Sequence, residues 1–113
     1  LNKANRARKA PLQPIPTRIR VGKKLFSIDV VETMLSRGEM GRIDHDLRKI
    51  SLGKRSNVSG RKFKREEILD SFWHEMVHAI LVDMGELELN RNEKFVTAFA
   101  NRLTKAILSA RFE

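Results

Sequence analysis

Apolar residues along this chain follow two regimes. From residue 17 to about residue 52 they fall in short β-branched runs, TRIRV and LFSIDVVETML, which favour extended backbone, with Gly22-Lys23-Lys24 placed to turn the chain between them. Residues 29–35 satisfy two patterns. Val30, Val31, Met34 and Leu35 either continue a strand or form one face of a short helix ending near Gly38. Gly38-Glu39-Met40-Gly41 supplies another turn, and RIDHDLRKISLG reads as a further strand, although Ile43, Leu47, Ile50 and Leu52 alternate only in part. GKRSNVSGRK, residues 53–62, reads as a polar, mobile loop bracketed by glycines.

From residue 64 the period becomes helical. A first helix over 64–84 places Ile68, Leu69, Phe72, Trp73, Met76, Val77, Ile80, Leu81 and Met84 on one stripe, with Glu66 and Glu67 at its positive end and Gly85 as its stop. A second, over 92–110, carries Phe95, Val96, Phe99, Leu103 and Ile107 at helical spacing. Strands followed by helices predict an α+β fold. Before these elements, Pro11, Pro14 and Pro16 hold their neighbours extended while Lys3, Arg6, Arg8 and Lys9 repel one another, so residues 1–17 read as a basic flexible arm. A total of 113 residues leaves room for one domain, 18–113.

No apolar run approaches the roughly 20 residues that cross a bilayer, so a membrane-spanning role is excluded. LNKANRARKAPLQPIP lacks the apolar core of a secretory signal, and residues preceding Leu1 in the native protein are left open. With no cysteine in the chain, disulfides and thiolate ligands are excluded, and a cytoplasmic location is expected.

The chemistry concentrates in FWHEMVHAIL, which holds two of the three histidines. Positions i and i+4 of a helix lie on nearly the same face with about 6 Å of rise between them, so His74 and His78 can reach one ion. Glu75 is rotated about 100° from His74, poorly placed as a ligand but suited to a water on that ion. Zinc lowers the pKa of such a water, and an adjacent carboxylate takes its proton as it attacks a carbonyl. The competing reading is a hydrogen-bonded histidine pair in an ordinary core helix. A catalytic zinc usually has a third protein ligand. Glu86, Glu88, Glu93, Glu113 and His45 are the candidates. Glu93 is the best placed, because it opens a helix that can pack antiparallel to the first, although in Asn90-Arg91-Asn92-Glu93 it also fits a capping box.

An HExxH helix followed by a glutamate-bearing helix resembles the compact gluzincin metallopeptidases, including the minigluzincins and small phage and prophage metallopeptidases. It is also similar to the ImmA/IrrE group, in which an acidic residue precedes a Phe-Ala pair on the later helix. Here Glu93 precedes Phe99-Ala100 in NEKFVTAFANRL. The resemblance spans residues 19–110 and implies Zn2+ held by His74, His78 and Glu93, with Glu75 as general base in peptide-bond hydrolysis. It further implies a zincin-like fold: a small twisted, mostly antiparallel sheet packed on the HExxH helix and a following antiparallel helix. An edge strand, expected within residues 42–52, would pair with an extended peptide or protein substrate. A phage gene would place the protein in the host cytoplasm. The chain departs from the family in having no tyrosine and no histidine after the motif, so the contact to the transition state falls to His45 or an arginine. Metallopeptidases that act on DNA-associated proteins have a third histidine after HExxH, and its absence argues against that subgroup.

Charge adds a second expectation. The chain carries a net +9, and its lysines and arginines dominate residues 1–28 and 47–65. Lys54, Arg55, Arg61 and Lys62 are therefore candidate contacts for an acidic partner, from a loop expected near one end of the cleft. The alternative function is a basic nucleic-acid or phage-particle binding protein whose zinc site is structural or vestigial.

Overall fold

A computed structural model describes residues 15–112; residues 1–14, which carry most of the expected arm, and Glu113 lie outside the described residues. Within the described chain the fold is α+β, with strands β1 (Arg18–Val21), β2 (Lys24–Val31), β3 (Gly41–Asp44) and β4 (Lys49–Gly53) preceding helices α1 (Arg65–Met84), α2 (Leu87–Arg91) and α3 (Glu93–Ser109). Ile15, the first described residue, lies against the core, and Thr17 accepts a backbone hydrogen bond from Ile28 at 2.9 Å. Among the described residues no helix is long and apolar enough to cross a membrane.

The strands form one mixed sheet in the order β1-β2-β4-β3. Two pairings, β1 with β2 and β3 with β4, are antiparallel, but the central pair β2 and β4 is parallel, with Ile28 beside Ile50 and Val30 beside Leu52, so the sheet is mixed where a mostly antiparallel one is expected. The parallel pairing follows from the segment read as one strand over 42–52, which instead folds as a hairpin. Asp44 accepts the Leu47 amide at 2.9 Å, and Arg48 takes a left-handed conformation (φ 53°), so the chain reverses after β3 and returns as β4 between β2 and β3. Of that segment only β3 lies at an edge of the sheet, β1 forming the opposite edge. Residues 29–35 resolve toward the strand, since β2 runs to Val31.

At the first hairpin Gly22 has φ 60°, a left-handed conformation that favours glycine, and the turn sits against the Asp83 carboxylate at the end of α1. The segment read as a mobile loop is pinned. Arg55 and Lys62 pair across a small hairpin, and Asn57 accepts the Gly38 amide (2.8 Å) while donating to the Met34 (2.7 Å) and Ser36 (2.8 Å) carbonyls. One amide side chain thus ties this hairpin to the connection between β2 and β3.

Helix α1 is the central element, because it is buried on two sides. Phe72, Met76 and Ala79 pack against Val21, Phe26, Ile28, Ile50 and Leu52 of the sheet, whereas Val77 and Leu81 pack against Val96 and Ala100 of α3. The single stripe expected on α1 is thereby split, and its last members, Ile80 and Met84, are exposed. On α3 the innermost ridge is Val96, Ala100 and Thr104, while Phe99, expected inside, is half exposed and stacks on Phe95. Small residues at 100 and 104 let the helices approach closely, which turns the bulkier positions outward. Thr104 satisfies its buried hydroxyl on the Ala100 carbonyl at 2.8 Å and on Asp70 at 3.3 Å.

Candidate metal centre

Helix α1 presents His74, Glu75 and His78, and the chain then doubles back within a few residues. Gly85, left-handed at φ 77°, stops the helix, and Glu86 donates its amide to the Leu81 carbonyl at 2.8 Å. The short α2 intervenes before Asn92 accepts the Phe95 amide at 3.0 Å and starts α3. Asn92 does the capping, and Glu93, the first residue of α3, turns its carboxylate to the histidines. Contacts between Glu93 and residues 74 and 78 at one end, and between Thr104 and Asp70 further along, show that α1 and α3 run antiparallel.

Glu93 Oε1 lies 3.1 Å from His74 Nε2, and Oε2 lies 3.0 Å from His78 Nε2. The three residues bring ligand atoms within 4.8 Å of one another, a group that could hold a metal ion. Its chemistry fits a cation. His78 Nδ1 is 2.7 Å from Asn90 Oδ1, so the Nδ1–H donates to that oxygen and, in the neutral ring, Nε2 turns a lone pair toward Glu93. Two acceptors facing each other at 3.0 Å need a proton or a cation between them. Tetrahedral ligands at about 2.0–2.1 Å from a zinc stand roughly 3.3 Å apart, close to the spacing already present. Two imidazoles and a carboxylate, with an amide oxygen behind one imidazole, make a donor set that suits zinc.

Around this group lies an open cleft of about 440 Å³, closed on one side by the edge strand residues Gly41, Arg42 and Ile43 and on the other by Asn90, Arg91 and Glu93. Glu75 reaches it from a buried position, only 7% exposed. Burial pushes its carboxyl up to about 7, and the nearby Glu93 and Glu39 carboxylates add to that shift against the opposing influence of His78 and Arg42. Gly41 makes room for it, since a Cβ there would stand 3.4 Å from Glu75 Oε2 and 3.3 Å from Leu52. Arg42 donates to Glu39 at 3.0 Å and to Ser36 at 2.9 Å, which fixes the outer rim.

His45 belongs to the same cleft, in the turn after β3 and not on a strand. Burial lowers its pKa, as do His78 and Lys24, while Asp46 and Asp44 oppose the shift. Its imidazole is therefore mainly neutral near pH 7. Glu86 and Glu88 are exposed and stand outside the ligand group, and Glu113 lies outside the described residues. None of Lys54, Arg55, Arg61 and Lys62 lines the metal cleft. Their hairpin precedes α1, and nine residues separate Arg65 from His74, about 13 Å along the helix. Asn90, Gly41 and Glu39 also line the cleft, although the sequence marks them only as turn or cap residues. For Asn90 a signal existed, a polar residue shortly before Glu93, but it was readable only as part of a cap. No protein-family model, curated protein sequence or solved structure matches the chain.

Proposed function

We propose that the protein is a zinc-dependent peptidase with a zincin-like arrangement, in which His74, His78 and Glu93 hold the metal and Glu75 is the general base. The observation that carries this reading is the convergence of both Nε2 atoms on the Glu93 carboxylate beside a buried Glu75. Zinc in such a site supplies Lewis acidity and brings the pKa of a water toward neutrality. Glu75, buried beside the histidines and reaching the cleft, is placed to accept a proton from a water on the metal and return it to a leaving amine. Asn90 keeps the proton of His78 on Nδ1 and so leaves Nε2 free to ligate. The outer edge of β3 can take an extended peptide as an added strand, with its backbone laid past Gly41 and Glu75. A neutral His45 can donate a hydrogen bond to a carbonyl oxygen in the cleft, the part that no tyrosine is present to play.

Metal analysis of the purified protein after zinc loading tests the reading. Wild type should hold one zinc per chain, and His74→Ala, His78→Ala and Glu93→Ala should each lose it. Glu75→Gln should keep zinc yet fail to cleave a mixed peptide library that wild type cuts. A wild-type protein that retains no zinc would overturn the assignment.

A further inference from the structure

A second cavity, of about 860 Å³, shares no residue with the metal cleft. It exists because the sheet outruns the helix that covers it. Val30 follows Phe26 and Ile28 on the face of β2 that packs on α1, yet Val30 is 40% exposed whereas Phe26 and Ile28 are buried. Helix α1 begins at Arg65, so among the described residues no helix covers the inner face at this end, and Ile15, Phe63 and Ile68 complete an apolar floor around Val30.

The rim has the opposite character. Lys54 stands on one strand of the small hairpin, and Lys62 and Lys64 on the other, with Arg65 beside them. Among the described residues lining the cavity there is no carboxylate. Lys54 reaches Glu32 at 3.5 Å, but both side chains are at least half exposed, and an ion pair of that kind competes weakly with another anion. The metal cleft, by contrast, is lined by Glu39, Glu75 and Glu93.

We propose that this cavity binds an acidic peptide segment that places an aliphatic side chain on the floor and its carboxylates on the lysine rim. Aliphatic residues dominate the floor, and its one ring, Phe63, is 7% exposed with the Arg61 guanidinium 5.5 Å above it. Nucleic-acid bases would find no free ring to stack on, and that favours a peptide over a single strand. Amines spread over two strands suit carboxylates spaced along an extended chain better than one small anion. Charge on this rim attracts carboxylates and repels other cations, so it selects an acidic partner. The site stands whether or not the metal centre hydrolyses peptides.

Fluorescence anisotropy with the full chain tests it. The probe is a labelled peptide with one leucine flanked by glutamates; the comparisons carry serine for leucine or glutamine for glutamate, beside a single-stranded oligonucleotide. The leucine–glutamate peptide should bind about tenfold more tightly than either altered peptide. Lys54→Glu combined with Lys62→Glu should weaken it by about tenfold or more, and Val30→Thr should narrow the preference for leucine over serine. Affinity should be the same with zinc and with EDTA, which separates this site from the metal cleft. Thermal unfolding of each variant establishes that it is folded. No binding at low salt, equal affinity for the leucine and serine peptides, tighter binding of the oligonucleotide, or loss of binding with EDTA would each overturn the proposal.

Discussion

Burial, more than any neighbouring charge, sets the behaviour of Glu75, and its sign can be worked out for the metal-free protein. The folded carboxyl titrates at about 7 and the unfolded one at 4.5. Below pH 4.5 both states are protonated and the contribution to stability is fully present; as pH rises toward 7 the unfolded state ionises first, and stability is lost. Metal-free Glu75→Gln should therefore be more stable than wild type at pH 8, by on the order of 3 kcal/mol, with the gap closing near pH 4.5. Urea unfolding in EDTA at the two pH values reads this directly, and a gap that does not change with pH would contradict it. Asn90 acts on the neighbouring imidazole in another way. Asn90→Ala frees the Nδ1–H of His78 to wander between tautomers and orientations, so zinc affinity should fall by about 10- to 100-fold. Competition against a chelating dye measures that loss, and Asn90→Asp, which keeps an acceptor, should restore most of it.

Helix α1 holds the centre, and its first turn carries an electrostatic clasp. Glu67 accepts the Lys64 amide at 2.8 Å and both guanidinium branches of Arg61 at 3.0 Å. The Arg61 hydrogen bonds, with the Lys64 amide next, draw its carboxyl down to about 2. The stabilisation is present above the unfolded value of 4.5 and lost as pH falls toward 2. Glu67→Gln should cost about 0.5–1 kcal/mol at pH 7, a small amount because the pair is exposed, and nothing at pH 2. Acid unfolding curves of the two proteins should converge accordingly. At this scale both long helices were legible to within a residue or two, since period, Gly85 and the acidic first turn all agree. The short α2 was not, because LELNR buries none of its residues and shows no apolar period. Two further segments, 42–52 and 53–62, depart from their sequence patterns for a related reason. Asp44 and Arg48 bend a run whose alternation was already imperfect, and Asn57, one polar residue in a polar segment, holds a hairpin through contacts 19 to 23 residues away. Long-range hydrogen bonds of that kind leave no local period.

For the molecule as a whole, the candidate metal site joins the two long helices through polar side chains, beside their apolar ridge. Their packed ridge is Val77, Leu81, Val96 and Ala100, but Glu93 reaches His74 and His78 across a carboxylate that is itself 64% exposed. His74 and His78 were readable as a pair because they share one turn of one helix. Glu93 was a candidate among several until the fold showed that Asn92 caps α3 and releases it. A cation bound by all three residues would clamp α3 to α1 at this end, while Thr104 and Asp70 hold the other. Binding only to the folded chain raises its stability by RT ln(1 + [L]/Kd), about 4 kcal/mol when free zinc is 1,000 times Kd. Wild type should therefore unfold at a distinctly higher temperature in zinc than in EDTA. Glu93→Gln, nearly the same in shape, should keep its EDTA midpoint close to wild type and lose most of the zinc-dependent rise. Calorimetry of both proteins in both conditions separates the clamp from the packing: a rise that survives Glu93→Gln would mean that the ion is held by the histidines alone and that α3 is fixed by its apolar ridge.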